Sequence, residues 1–119
     1  KKAKHFFEKA GDIFLERNMD QEAEAAFGEV IKISPDTVNV YNSLGIIYRK
    51  KKDYAGAVKQ YLKALKVDPD DENILYNLGR VYLEDKKVGD AKKTFKRALE
   101  IDPGFKEAKK MLQAIEVAF

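Results

Sequence analysis

Apolar and polar positions along this chain follow the rhythm of an amphipathic helix. Val40, Tyr41, Leu44, Ile47 and Tyr48 fall at i, i+1, i+4, i+7 and i+8, and Tyr54, Ala57, Val58, Tyr61, Leu62 and Leu65 continue in helical spacing. Such recurrence lines one face of a helix with apolar side chains. The polar Lys51-Lys52-Asp53 between the two runs is too short for anything but an antiparallel helical hairpin. Asn18-Met19-Asp20 and Asp85-Lys86-Lys87 fill the same slot on either side. Each second helix is predicted to end near Ser34-Pro35-Asp36, Asp68-Pro69-Asp70 or Asp102-Pro103-Gly104. Proline disfavours helical geometry in the residue before it, and Asp or Thr can then cap the next helix.

The hairpins repeat at a step of 34 residues. Gly11, Gly45 and Gly79 keep it, as do Ala23, Ala57 and Ala91, and Pro35, Pro69 and Pro103. Phe14, Tyr48 and Tyr82 share it with Phe27, Tyr61 and Phe95. Self-similarity at this period means stacked units, none of which can bury its own apolar face. Gly45 and Ala57 are small, so the two helices of a hairpin are expected to approach closely where they cross, with Tyr41, Tyr48 and Tyr61 on either side.

At these positions the sequence resembles the tetratricopeptide repeat. Unit two matches its pattern with Tyr41, Leu44, Gly45, Tyr48, Ala57, Tyr61, Ala64 and Pro69. Unit three supplies Leu75, Leu78, Gly79, Tyr82, Ala91, Phe95, Ala98 and Pro103. Unit one follows with Phe7, Ala10, Gly11, Phe14, Ala23, Phe27, Val30 and Pro35, where Ala10 and Val30 are mild departures. The resemblance implies an all-α solenoid with units at 4–37, 38–71 and 72–105. From 106 to 119 a further helix repeats the apolar positions as Ala108, Leu112 and Ile115, with Lys109, Gln113 and Glu116 on its other side. That pattern reads as a C-terminal capping helix. The first helix has no such cap, so Phe6 and Ile13 are expected to face outward as a possible docking face.

The resemblance also implies that first helices line a concave groove. Carried over, the groove residues are Asn39, Asn42, Ser43, Ile46, Arg49 and Lys50 in unit two, then Asn73, Tyr76, Asn77, Arg80 and Leu83 in unit three. Unit one would add His5, Glu8, Lys9, Asp12 and Glu16. Asn both donates and accepts, so it can pair with an extended peptide backbone, and Arg can grip carboxylates. Family members that clamp chaperone C-terminal tails use Lys, Asn and Arg at positions occupied here by Glu8, Asp12, Ser43, Asn73 and Asn77. On those mismatches chaperone tails are not expected as partners.

Composition narrows the remaining classes. Apolar residues make up 45% of the 119 and charged residues 36%, which argues for a folded domain. With no cysteine and one histidine, His5, neither a thiolate metal site nor an evident catalytic pairing is available, and no cofactor is expected. No catalytic residue is assigned. Residues 1–37 hold six Lys/Arg against eight Asp/Glu, and residues 38–71 hold seven against four, so the first unit is acidic and the second basic. Lys86, Lys87, Lys92, Lys93, Lys96 and Arg97 make a basic surface in unit three, but Asp85, Asp90 and Glu100 interrupt it, so nucleic acid is not the expected partner. No apolar run is long enough to span a membrane. The opening Lys1-Lys2-Ala3 lacks an initiator methionine, which suggests a piece of a longer protein, and a cytoplasmic location is expected. The functional expectation is a non-enzymatic scaffold that binds a peptide segment or helix of a partner in the groove. The alternative is a spacer or homo-oligomerising unit that uses Phe6 and Ile13.

Overall fold

A computed structural model describes residues 1–119. Seven helices follow one another: α1 (Lys2–Glu16), α2 (Asp20–Ile33), α3 (Val38–Lys50), α4 (Tyr54–Val67), α5 (Glu72–Glu84), α6 (Val88–Ile101) and α7 (Lys106–Ala118). There are no strands. α1 pairs with α2, α3 with α4 and α5 with α6, while α7 packs on α6.

Each hairpin turn is built the same way. Asn18, Lys52 and Lys86 adopt φ of 59°, 62° and 62°. The amide of Lys52 donates to the Arg49 carbonyl and that of Asp53 to the Tyr48 carbonyl, both at 2.9 Å. These bonds satisfy carbonyls that the end of α3 leaves unpaired, in the arrangement usually completed by glycine. Asn18-Met19 and Lys86-Lys87 repeat the bonds at the ends of α1 and α5.

Capping of the next helix is more selective than the sequence suggests. Asp53 accepts from the Gly56 amide, and Asp71 accepts from the amides of Asn73 and Ile74. Thr37 stands before α3 but makes no cap. Its hydroxyl donates instead to the Ser34 carbonyl at 2.9 Å. α7 begins after Phe105 without a side-chain cap.

The expected close crossing is present, with a different partner. A methyl on Gly45 would stand 2.5 Å from Tyr61 Cε1, and one on Gly79 would stand 2.7 Å from Phe95 Cε1. Gly11 meets Phe27 in the same way. The glycine therefore makes room for the aromatic ring of its own hairpin, rather than for a second small residue.

Apolar burial is divided among three clusters. Ala23, Phe27 and Val30 of α2 pack on Val40, Leu44 and Ile47 of α3. Ala57, Tyr61 and Ala64 of α4 meet Ile74, Leu78 and Val81 of α5. Ala91, Phe95 and Ala98 of α6 meet Ala108 and Ile115 of α7. In each cluster a second helix covers the first helix that follows it. The molecule is accordingly elongated, 47 × 26 × 20 Å, with no single central core. Lys109, Gln113 and Glu116 on the far side of α7 are exposed.

Candidate functional site

The side chains expected to form a groove lie on α3 and α5, and two bridges join these helices. Asn77 Nδ2 donates to Asn42 Oδ1 at 2.9 Å. Arg49 Nε donates to Glu84 Oε2 at 2.7 Å, and its Nη2 reaches the same oxygen. Each bridge spans 35 residues, one repeat plus one position. A third contact ties α3 back to α2, where Lys50 Nζ meets Asp20 Oδ1 at 2.9 Å.

These bonds change what the predicted residues can do. Arg49 is already held by a carboxylate of its own chain. Arg80 has no carboxylate in ion-pair range, and its guanidinium lies 5.7 Å from the centroid of the Tyr76 ring. Tyr76 itself leans on Phe95 and Phe105, with ring centroids 5.9 and 5.2 Å away. Leu83 packs with the third apolar cluster. Asn39 and Asn73 are exposed, while Ser43 and Ile46 are half-buried. Arg49, Lys50, Lys52, Tyr54 and Glu84 line an open cleft of about 260 Å³ at the ends of α3 and α5.

Tyr61 connects this wall to the interior. Its ring is buried, and that burial pushes its hydroxyl up to about 12; Arg49 and Arg80 pull it down and Glu84 pushes it up. The phenol therefore senses the charges of the wall. A neighbouring tyrosine is tuned differently. Tyr48 donates to Glu24 Oε2, and this bond, helped by burial, raises Tyr48 to about 12. The same bond, with Lys51 at 3.0 Å, holds the Glu24 carboxyl below its ordinary value.

Glu84, Asp20, Glu24 and the Tyr61 hydroxyl were absent from the sequence-based set. The signal for one pair was present: an Arg and a Glu of opposite charge stand one repeat plus one residue apart. On α6, Arg97 pairs with Asp70 at 3.0 Å and lies 4.0 Å from Glu100, which partly neutralises the basic surface of that unit.

Two family models match the chain. One is described as "TPR repeat" and covers residues 45–86, and the other as "Tetratricopeptide repeat" over residues 72–105. The chain belongs to the tetratricopeptide repeat (TPR) family. The first TPR domain of Spaghetti (RPAP3), bound to the HSP90 peptide SRMEEVD, superposes with a TM-score of 0.90 at 20% identity, covering 98% of this chain and 93% of that one. The Arabidopsis OM64 TPR domain gives 0.89 at 18% identity, with 99% and 98% covered. The TPR2B domain of yeast Sti1 in its complex with pHsp70 gives 0.89 at 17% identity, with all of both chains covered. No curated protein sequence matches.

These likenesses correct one expectation. Chaperone tails cannot be set aside as partners, because two TPR domains with this fold are bound to HSP90 and Hsp70 peptides. The exclusion rested on five side chains in one assumed register, namely Glu8, Asp12, Ser43, Asn73 and Asn77. At 17–20% identity, domains of this shape differ at most positions, so those mismatches do not decide the ligand class. As for membranes, no helix is long and apolar enough to cross one.

Proposed function

We propose that this TPR chain is a non-catalytic protein-interaction scaffold that receives a peptide segment or helix of a partner along the wall formed by α1, α3 and α5. In this reading residues 4–37, 38–71 and 72–105 are the repeats, and residues 106–119 cap them. The observation that carries the proposal is the pairing pattern on α3 and α5. Asn42–Asn77 and Arg49–Glu84 hold the wall together, while Arg80 is left without a carboxylate beside the Tyr76 ring. A guanidinium in that setting suits an incoming carboxylate, and the aromatic beneath it offers apolar contact to the adjoining residue. Asn39, Asn73 and Ser43 then supply backbone-directed hydrogen bonds. Peptides with acidic C-terminal ends, of which SRMEEVD is one, fit this chemistry.

The test is a titration with labelled SRMEEVD and a scrambled peptide carrying amidated side-chain carboxyls. Binding of the acidic peptide should weaken as salt rises and fall about tenfold in Arg80→Glu, with the thermal midpoint unchanged. Equal binding of both peptides, or full binding by Arg80→Glu, would remove Arg80 from the site. Arg49→Glu is a poorer probe, because it also sets two carboxylates against each other at Glu84.

A further inference from the structure

We infer that the Tyr61 hydroxyl and Arg80 form a slot between α3 and α5 for a single carboxylate of the bound peptide. The slot rests on the groove reading above and adds to it a donor that comes from α4, behind the wall. The two bridges of the wall fall at a fixed offset: Asn42 pairs with Asn77 and Arg49 with Glu84, 35 residues apart in each case. Positions 42, 45 and 49 share one stripe of α3, and positions 77, 80 and 84 share one stripe of α5. The same offset sets Gly45 opposite Arg80. Glycine has no side chain to meet the guanidinium, and no carboxylate of the chain comes within ion-pair range of it. About two turns, or about 10 Å, separate the bridges along each helix, so this middle rung is framed at both ends.

The end of the Tyr61 ring lies at that rung. Its Cζ is 2.6 Å from where a methyl on residue 45 would stand, which puts the hydroxyl beside Gly45 and among the charges of Arg49, Arg80 and Glu84. Tyr61 is 1% exposed. The hydroxyls of Tyr41 and Tyr48 donate to the Pro35 carbonyl and to Glu24, but that of Tyr61 pairs with no group of the chain. Nor is it sealed from the groove, since the side-chain atom that is both sealed and unpaired is Gln60 Oε1. A buried phenol with an open donor end calls for an acceptor. Phe27 and Phe95 fill the same place over Gly11 and Gly79, so the oxygen is particular to unit two. Packing requires the ring but not the hydroxyl.

Arg80 supplies a planar fork of N–H donors and Tyr61 an O–H beside it, a set complementary to the two oxygens of a carboxylate. Local charge narrows the class further. Arg49 and Arg80 against Glu84 leave one positive charge in excess at the rung. A carboxylate balances it, whereas a doubly charged phosphate would be left facing Glu84.

The test titrates SRMEEVD, and variants with one carboxylate at a time replaced by its amide, against the chain and against Tyr61→Phe. The phenyl rings of Phe27 and Phe95 show that the joint accepts this substitution, so the thermal midpoint should not change. Binding of SRMEEVD should fall about fivefold to tenfold in Tyr61→Phe, the size expected of a hydrogen bond to a charged acceptor. For one amide variant only, the chain and Tyr61→Phe should bind equally, which identifies the carboxylate in the slot. In a chain isotopically labelled at tyrosine Cζ, the Tyr61 resonance should move on saturation with SRMEEVD and hold still with that variant. This readout serves even if Tyr61→Phe melts early. Full binding by Tyr61→Phe together with loss in Arg80→Glu would overturn the slot and leave the groove reading standing. Failure of the unaltered chain to bind SRMEEVD would remove both. Equal weakening of every amide variant by Tyr61→Phe would assign the loss to packing and overturn the slot. Tighter capture of a peptide with phosphoserine in place of the identified carboxylate would overturn the choice of anion.

Discussion

The Tyr61 ring lies so close to Gly45 that no other side chain fits between them; a methyl at residue 45 would meet Cε1 at 2.5 Å and Cζ at 2.6 Å. The ring is buried among Ala57, Ala64, Ile74, Leu78 and Val81, so it has little room to retreat. Phe27 and Phe95 take the same position over Gly11 and Gly79, which makes this contact the joint of each hairpin.

Gly45→Ala should therefore destabilise the chain even though alanine is the better helix former, by about 1–3 kcal/mol of overpacking. Gly45→Leu should cost more. In a Tyr61→Ala background the alanine substitution should become neutral or stabilising. Thermal or urea denaturation of the four members of that cycle measures the coupling, and additive effects would show that the ring is not the obstacle.

The hairpin turns predict the opposite sign. Lys52 and Lys86 hold positive φ, which costs a residue with a side chain about 1–2 kcal/mol. Glycine removes that strain but carries more backbone entropy when unfolded. Lys52→Gly and Lys86→Gly should each stabilise by about 0.5–1 kcal/mol, read as a raised midpoint in urea. Asn18→Gly should gain less, since asparagine tolerates this geometry better.

Helix starts separate true caps from apparent ones. Asp71→Ala removes an acceptor from two amides and should cost about 0.5–2 kcal/mol. Thr37→Ala removes no cap and should cost less. Equal losses in denaturation would mean that the Thr37 hydroxyl bond to Ser34 matters as much as capping.

Alkaline pH should weaken the fold through two phenols. Tyr48 and Tyr61 are both raised to about 12 in the folded chain, against about 10 when unfolded. A folded value above the unfolded one gives stability that is complete below about pH 10 and is lost as pH climbs through about 12. Tyr48→Phe should remove its share of that alkaline loss. At the acid end Glu24 has the reverse sign, because its carboxyl is lowered. Its contribution is present above the ordinary carboxylate value and disappears as pH falls through the lowered one. Partial exposure of Glu24 keeps this effect small. Thermal midpoints across pH, with phenolate absorbance followed in parallel, check both ends.

Much of the architecture was legible because the repeat samples the same physics again and again. Glycine, alanine, aromatic and proline recurring at one period leave few arrangements other than stacked hairpins. The second and third turns were placed to the residue, while the first was set one residue late, since Asp20 already belongs to α2; the left-handed residue of the later two was not visible, because lysine carries no mark of positive φ. Thr37 looked like a cap because threonine often is one, yet Ser34 offered its hydroxyl a nearer acceptor. On α3 and α5 the residue types were readable and their engagements were not. Arg49 looked available for a ligand until Glu84, from the next unit, was found holding it. Such pairings depend on how far one hairpin is rotated against the next, and the side chains of a single unit carry no record of that angle.

The three apolar clusters are not insulated from one another. Ile31 and Tyr48 touch both the first and second, and Leu65 and Tyr82 touch both the second and third. Four shared side chains thus act as couplings between otherwise separate nuclei. Force or heat applied at either end would be passed along through those couplings link by link. The molecule should accordingly unravel inward from its extremities, with the α4–α5 junction, which is linked on both sides, the last segment to let go.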